Sequence, residues 1–240
     1  ASAATVSAGT SIVASGASLY KADLTAGQTY FVRPALYSRW SIYQPDFTDA
    51  LDVYTDSSAQ SATQFTPAVS GTWYFLYTNG ESSDSTLDIR PVKPLTLNVQ
   101  AGGTLTPDGL GDFYSVTLPE TKRLYLDLSK FNDSAQITIF QGDNQINSFN
   151  VSSEDPGAIE PFELQSGTYR IEINPRGASG ENDYSLRLLD FASATTLGAD
   201  VEVSGSVLPG EAAIYKIDLQ AGQRLYYTPA DLGGLSGNWT

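Results

Sequence analysis

Tyr20-Lys21-Ala22-Asp23-Leu24-Thr25-Ala26-Gly27-Gln28-Thr29-Tyr30-Phe31-Val32 is the stretch from which the fold is read. Tyr20, Ala22 and Leu24 fall on one face of an extended chain, and Lys21 and Asp23 on the other. That period of two marks a half-buried strand. Thr25 to Gln28 reads as a tight turn in which Gly27 supplies a positive φ. A second strand then starts at Thr29. Strand, turn and strand in this form predict a β-hairpin.

The stretch recurs twice. Tyr114-Ser115-Val116-Thr117-Leu118 and Tyr215-Lys216-Ile217-Asp218-Leu219 repeat the first strand. Gln220-Ala221-Gly222-Gln223 repeats the turn, with Gly222 in the role of Gly27. Pro119-Glu120-Thr121-Lys122 replaces it in the middle copy, where Pro pre-sets a different turn. A following strand is expected at 123–128 and at 224–227. Further on, Trp40-Ser41-Ile42-Tyr43-Gln44-Pro45-Asp46 parallels Ile137-Thr138-Ile139-Phe140-Gln141-Gly142-Asp143. Ser70-Gly71-Thr72-Trp73-Tyr74-Phe75 parallels Ser166-Gly167-Thr168-Tyr169-Arg170-Ile171. Closing strands are expected at 86–90 and 184–188.

The equivalent tyrosines recur at roughly 100 residues, a whole-domain period rather than the 20–50 of a solenoid. Seven or so short strands per copy, parted by Gly, Pro, Asn and Asp turns, predict an all-β chain. Its expected form is tandem jelly-roll or immunoglobulin-like antiparallel β-sandwiches with little or no helix. The expected domains are 1–94, 95–191 and a partial copy at 192–240 holding only the opening strands. Gly237-Asn238-Trp239-Thr240 matches the start of the strand at Trp40. Half a sandwich exposes strand edges. The third copy is therefore expected to continue past Thr240 or to be completed by another chain. Pro91-Val92-Lys93-Pro94 and residues 191–196 read as short, stiff linkers, which predicts a rod.

The composition narrows the function. Of 240 residues, 41% are hydrophobic, enough for a core, and only 17% are charged. Asp and Glu number 27 against 13 Lys and Arg, a net charge of −14. Nucleic acid and anionic membrane are poor partners for such a surface. With no Cys and no His, there is no thiolate nucleophile, no zinc-thiolate site and no Ser-His-Asp triad. No apolar run reaches the ~18 residues of a membrane span. Ala1-Ser2-Ala3-Ala4 reads as small-residue sequence near a signal cleavage site. An extracellular or cell-surface location is expected.

The repeated motifs resemble the bacterial pre-peptidase C-terminal domain. Asp112, Tyr114 and Leu118 carry the acid before the tyrosine strand. Leu24, Ala26, Gly27 and Gln28, with Leu219, Ala221, Gly222 and Gln223, carry Leu-x-Ala-Gly-Gln. Gly167, Thr168 and Tyr169 carry Gly-Thr-Tyr, and Tyr184, Ser185 and Leu186 the closing strand. Copy one departs from the pattern: it has no acid at the Asp112 position, and its closing strand is Ser85-Thr86-Leu87. The resemblance implies a jelly-roll-like sandwich of secreted peptidases and large surface proteins, used as a non-catalytic accessory, spacer or binding module.

Two sites are candidates. Asp108-Gly109-Leu110-Gly111-Asp112, with Asp143 or Asp183 near it in the fold, would offer oxygens to calcium. The competing reading is a Gly/Asp turn that caps its own backbone. The second site is a row of outward aromatic and apolar side chains, Phe31, Tyr74, Leu76, Tyr125 and Tyr226. Such a row stacks on a glycan or surface polymer. The competing reading is packing within the sheet or burial against a neighbouring copy. Trp73 to Tyr77 is apolar on both faces, so copy one is expected to bury that strand against something. Acid pairs such as Asp49/Asp52 and Glu154/Asp155 lack a partnered nucleophile, and no catalytic residue is assigned.

The expectation is therefore a non-catalytic structural or adhesive module of a larger secreted or surface protein. Its partners would be neighbouring repeats, other copies of the chain, or a glycan. Two alternatives remain: an accessory substrate-binding or secretion domain of a secreted hydrolase, and a self-assembling subunit whose third copy is completed by another chain.

Overall fold

In the computed structural model, the described residues are 3–35, 37–48, 50–54, 62–78, 84–106, 111–129, 134–152, 159–176, 180–198, 202 and 211–226. Alternating apolar residues build nine strands over the first part of the chain. They are β1 (Ala4–Thr5), β2 (Ser11–Ser15), β3 (Ser18–Leu24), β4 (Tyr30–Pro34), β5 (Arg39–Tyr43), β6 (Ala50–Tyr54), β7 (Thr63–Phe65), β8 (Gly71–Tyr77) and β9 (Asp84–Pro94). Eight more follow: β10 (Ala101–Leu105), β11 (Asp112–Leu118), β12 (Lys122–Ser129), β13 (Ser134–Gln141), β14 (Asn144–Ser152), β15 (Phe162–Leu164), β16 (Gly167–Pro175) and β17 (Asn182–Asp190). A 3-10 turn at Phe191–Ser193 leads to β18 (Thr195–Leu197) and β19 (Tyr215–Ile217).

The first sandwich sets β3-β8-β5-β6 against β4, β7, β9 and β2; in the second, β11-β16-β13-β14 faces β10-β17-β12-β15. In both, the first strand pairs with the last (β2 with β9, β10 with β17), and the second with the seventh (β3 with β8, β11 with β16). This is jelly-roll order. Each sandwich has its own core. The first packs Trp40, Ile42, Trp73, Phe75 and Tyr77 against Ile12, Tyr30, Val32, Leu87 and Ile89. The second packs Tyr114, Val116, Ile137, Ile139, Ile171 and Ile173 against Leu105, Leu124, Leu126, Tyr184, Leu186 and Leu188. Trp40 is wholly buried, and its indole N–H donates to Ser85 Oγ at 3.2 Å. A buried indole needs such a partner.

The expected hairpin at Thr25–Gln28 is corrected. β3 pairs with β8 and β1, and β4 pairs with β9 and β7. The two strands lie in opposite sheets, and the turn is an arch between them. The physical reason is that Tyr20, Ala22 and Leu24 must face Tyr30 and Val32 across the core; a hairpin would put them side by side. The turn still requires its glycine: Gly27 has φ +76° and Gly222 +88°.

The stretch Pro91-Val92-Lys93-Pro94 is also corrected, from linker to strand. Up to Pro91, β9 is antiparallel to β4 (Tyr30↔Pro91); from Val92 it is parallel to β11 (Val92↔Phe113, Lys93↔Tyr114, Pro94↔Ser115). One sheet, β14-β13-β16-β11-β9-β4-β7, thus crosses from one sandwich into the other. Prolines stand where the strand changes partner, since they have no N–H to give a ladder. After β17 no such continuation occurs; the 3-10 turn intervenes, and β18 then pairs in parallel with β19. The strand expected at 224–227 is absent over its described residues 224–226. No second sheet is described there for it to pack on.

Candidate functional site

The junction between the sandwiches is the most elaborated place in the described structure. Phe31 projects from β4 away from its own core and stacks on Phe113 of β11, with centroids 4.2 Å apart and planes 10° from parallel. Both rings are buried, with Ala62 and Val92 against them. The Arg170 guanidinium lies 5.0 Å over Phe31 and 4.5 Å over Phe140. Its Nε donates to Glu172 Oε1 at 2.7 Å, which fixes the plane for cation–π contact. The Gln28 side chain ties the arch to β9, donating to Val92 O at 2.7 Å.

A polar network anchors the arriving strand. Lys93 Nζ pairs with Asp112 Oδ2 at 3.0 Å. The Tyr184 hydroxyl donates to the same oxygen at 2.6 Å and lies 2.7 Å from the Tyr114 hydroxyl. Tyr114 reaches Gly102 O at 3.0 Å. Burial pushes the Tyr114 phenol up to about 12. Burial, then the Asp112 charge, raises Tyr184 further. A Cβ on Gly103 would overlap Asp112 Oδ2, so that glycine makes room for the carboxylate.

A cross-strand ion pair recurs on the outer face of the β4/β9 and β12/β17 pairs, with its polarity reversed. Arg33 of β4 reaches Asp88 of β9 at 3.2 Å. At the equivalent place, Asp127 of β12 accepts from Arg187 Nε of β17 at 2.8 Å. The second pair also grips the backbone of residue 212: Ala212 N–H donates to Asp127 at 3.0 Å, and Arg187 donates to Ala212 O at 3.2 Å. Burial holds the Asp127 carboxyl above the usual range, although Arg187 pulls it down. Lys122 bridges Glu120 (2.8 Å) and Asp190 (3.1 Å), and Asp190 caps the 3-10 turn through Ala192 N–H.

The predicted site residues are dispersed. Phe31 does leave its own core, but it is not an open platform, because the second sandwich covers it. Tyr125 is half-buried against the second core, and Tyr226 is 85% exposed. Tyr74 is half-buried and stacks with Phe47 at 4.5 Å; Leu76 is half-buried on the same strand. Of the candidate calcium ligands, Asp108 lies outside the described residues. Asp112 is buried on Lys93 and Tyr184, while Asp143 is exposed in the β13–β14 turn. Asp183 accepts from Thr104 Oγ1 at 2.5 Å. No group of three or more acidic side chains suited to a metal forms among the described residues. Of the acid pairs, Asp52 is held by Arg39 and Ser41, and Asp49, Glu154 and Asp155 lie outside the described residues.

Phe113, Arg170 and Lys93 were not singled out from sequence. One signal was present: Asp112-Phe113-Tyr114 puts an apolar ring on the face where Ser115 and Thr117 are polar.

No family model matches the chain, and no curated protein matches it. Among solved structures, the chain is similar to the pre-peptidase C-terminal domain of collagenase from Bacillus anthracis. That match has 14% identity and a TM-score of 0.35, over 41% of this chain and 95% of that one. It is also similar to the CUB1-EGF-CUB2 domains of rat MASP-1, with 10% identity and a TM-score of 0.26, over 78% and 100%. A third is a triple jelly-roll protein of an archaeal virus turret, with 12% identity and a TM-score of 0.22, over 75% and 58%. The jelly-roll assignment rests on the strand order described above. Among the described residues, no helix is long and apolar enough to cross a membrane.

Proposed function

We propose that this chain is a non-catalytic structural and adhesive module of a larger secreted or cell-surface protein, whose two described sandwiches are joined into a stiff rod by one shared sheet. The observation that carries this reading is β9, which closes one sandwich and then enters the sheet of the next. A strand common to two sandwiches leaves no free linker between them. The chemistry agrees with a mechanical role. Among the described residues, the four buried acids, Asp88, Asp112, Asp127 and Asp190, are each held by a cation: Arg33, Lys93, Arg187 and Lys122.

The chain has no Cys, so two engineered ones take spin labels cleanly. Gln64→Cys on β7 and Asn144→Cys on β14 mark the ends of the shared sheet, roughly 30 Å apart by strand spacing. A single narrow distance distribution is expected. A broad distribution in the otherwise unmodified chain would overturn the rod.

A further inference from the structure

The first sandwich carries an uncovered counterpart of the junction. Tyr20 and Tyr114 occupy the same register, facing Phe75 and Ile171 of the neighbouring strand. Ile42 and Ile139 face those same two residues from the other side. Phe113, Arg170 and Phe140, which receive Phe31, therefore correspond to Leu19, Tyr74 and Tyr43. These three are only half-buried. Phe47 lies against the two tyrosines, 4.5 Å from Tyr74 and 6.2 Å from Tyr43, and is 56% exposed. Phe47 also holds φ +60°, where the corresponding β13–β14 turn has Gly142 at +59°. A bulky residue pays strain to sit there, so its place is maintained against local preference.

A second observation names what belongs on this face. Residues Ala4 and Thr5 pair in parallel with Tyr20 and Lys21. Lys93 and Pro94 pair in the same sense with Tyr114 and Ser115, and Thr195 and Thr196 with Tyr215 and Lys216. In the middle case the parallel strand is the last strand of the preceding sandwich. β1 therefore occupies the position of an arriving last strand.

We infer that the outer face of β3, β8 and β5, made by Leu19, Tyr43, Phe47 and Tyr74, is a docking surface for a further jelly-roll sandwich. That partner presents an aromatic ring at the Phe31 position and brings its last strand alongside β3. The inference rests on the shared-sheet reading and extends it to a heterologous, head-to-tail contact, which propagates rather than closes.

The test is a tandem chain in which residues 1–94 are placed ahead of residue 6 of the full chain, so that Lys93-Pro94 of the duplicate replaces Ala4-Thr5. Hydroxyl-radical labelling per site at Tyr43, Phe47 and Tyr74 is expected to fall by about half relative to the unduplicated chain, because a head-to-tail contact covers the downstream face and leaves the leading copy's face bare, with Tyr37 unchanged. A folded tandem chain labelled at the original rate would overturn the proposal. Should the tandem chain not fold, Leu19→Ser with Tyr74→Thr in the ordinary chain decides it. A docking face without a core role predicts a melting shift of no more than about 2 °C. A larger fall would show that these side chains serve their own sandwich and would overturn the proposal. Titration of the ordinary chain with cello-, xylo- and chito-oligosaccharides covers the other occupant: saturable tyrosine quenching abolished by Tyr74→Thr would give the face to a glycan and overturn the proposal. The Gln64/Asn144 labels report the first junction separately. A rigid junction with a bare patch sinks only this inference, whereas a loose junction removes the reading beneath it.

Discussion

Phe31 and Tyr226 occupy the same place in the repeated motif, yet their surroundings separate them completely. Phe31 is 4% exposed and Tyr226 85%. Phe31→Ala removes a ring from a filled interface and is expected to cost about 3 kcal/mol in chemical denaturation, within the range for buried Phe truncation. Tyr226→Ala is expected to change nothing measurable. The tyrosine network makes a pH prediction. Tyr114 and Tyr184 keep their protons in the fold to higher pH than in the unfolded chain, where a phenol titrates near 10. Their contribution is complete below pH ~10 and is lost as pH rises through the Tyr114 value of about 12, at up to about 1.4 kcal/mol per pH unit for each phenol. Tyr184→Phe should flatten this alkaline loss in a denaturation series from pH 8 to 12; an unchanged slope would contradict the assignment.

Among elements, β9 is the strand on which the two sandwiches converge. Its Asp88 faces Arg33, while the equivalent pair in the second sandwich runs Asp127 to Arg187. A position that accepts either polarity acts through the pairing, not through the sign of one residue. Arg33→Asp places two acids side by side and is expected to destabilise the first sandwich by about 2 kcal/mol. The swapped double variant, Arg33→Asp with Asp88→Arg, should regain most of that loss. Urea unfolding of the full cycle gives the coupling. Additive losses would show that the two side chains act independently. The Ser11 hydroxyl, which also donates to Asp88, limits the recovery.

At the scale of the whole molecule, the two cores found among the described residues are connected by a shared sheet and by the Phe31–Phe113 stack. Such coupling predicts that the sandwiches melt together. A single calorimetric transition is expected for the intact chain, and two transitions for Phe31→Ser with Phe113→Ser, where the stack is lost and each core answers for itself. Two resolved transitions in the intact chain would show that the shared sheet transmits little. The second junction is built differently. Asp127 and Arg187 hold residue 212, Arg123 lies over the Phe191 ring at 5.3 Å, and a 3-10 turn replaces the continuous strand.

The alternation at Tyr20, Ala22 and Leu24, and again at Tyr114, Val116 and Leu118, was enough by itself to determine strands, their buried faces and an all-β sandwich. Burial acts residue by residue, and a period of two is local. Gly27 was legible for the same reason, since a positive φ is a property of one residue. Which strands pair was not local. The turn after Leu24 looks like a hairpin until the opposite sheet supplies other partners for β3 and β4. Pro91 to Pro94 looks like a linker until β11 lies beside it. Phe31 points outward in any reading of its own strand, and only the second sandwich decides that outward means buried. Contacts across about 80 residues, such as Phe31 with Phe113, leave no period in the chain; they arise only when two finished surfaces meet.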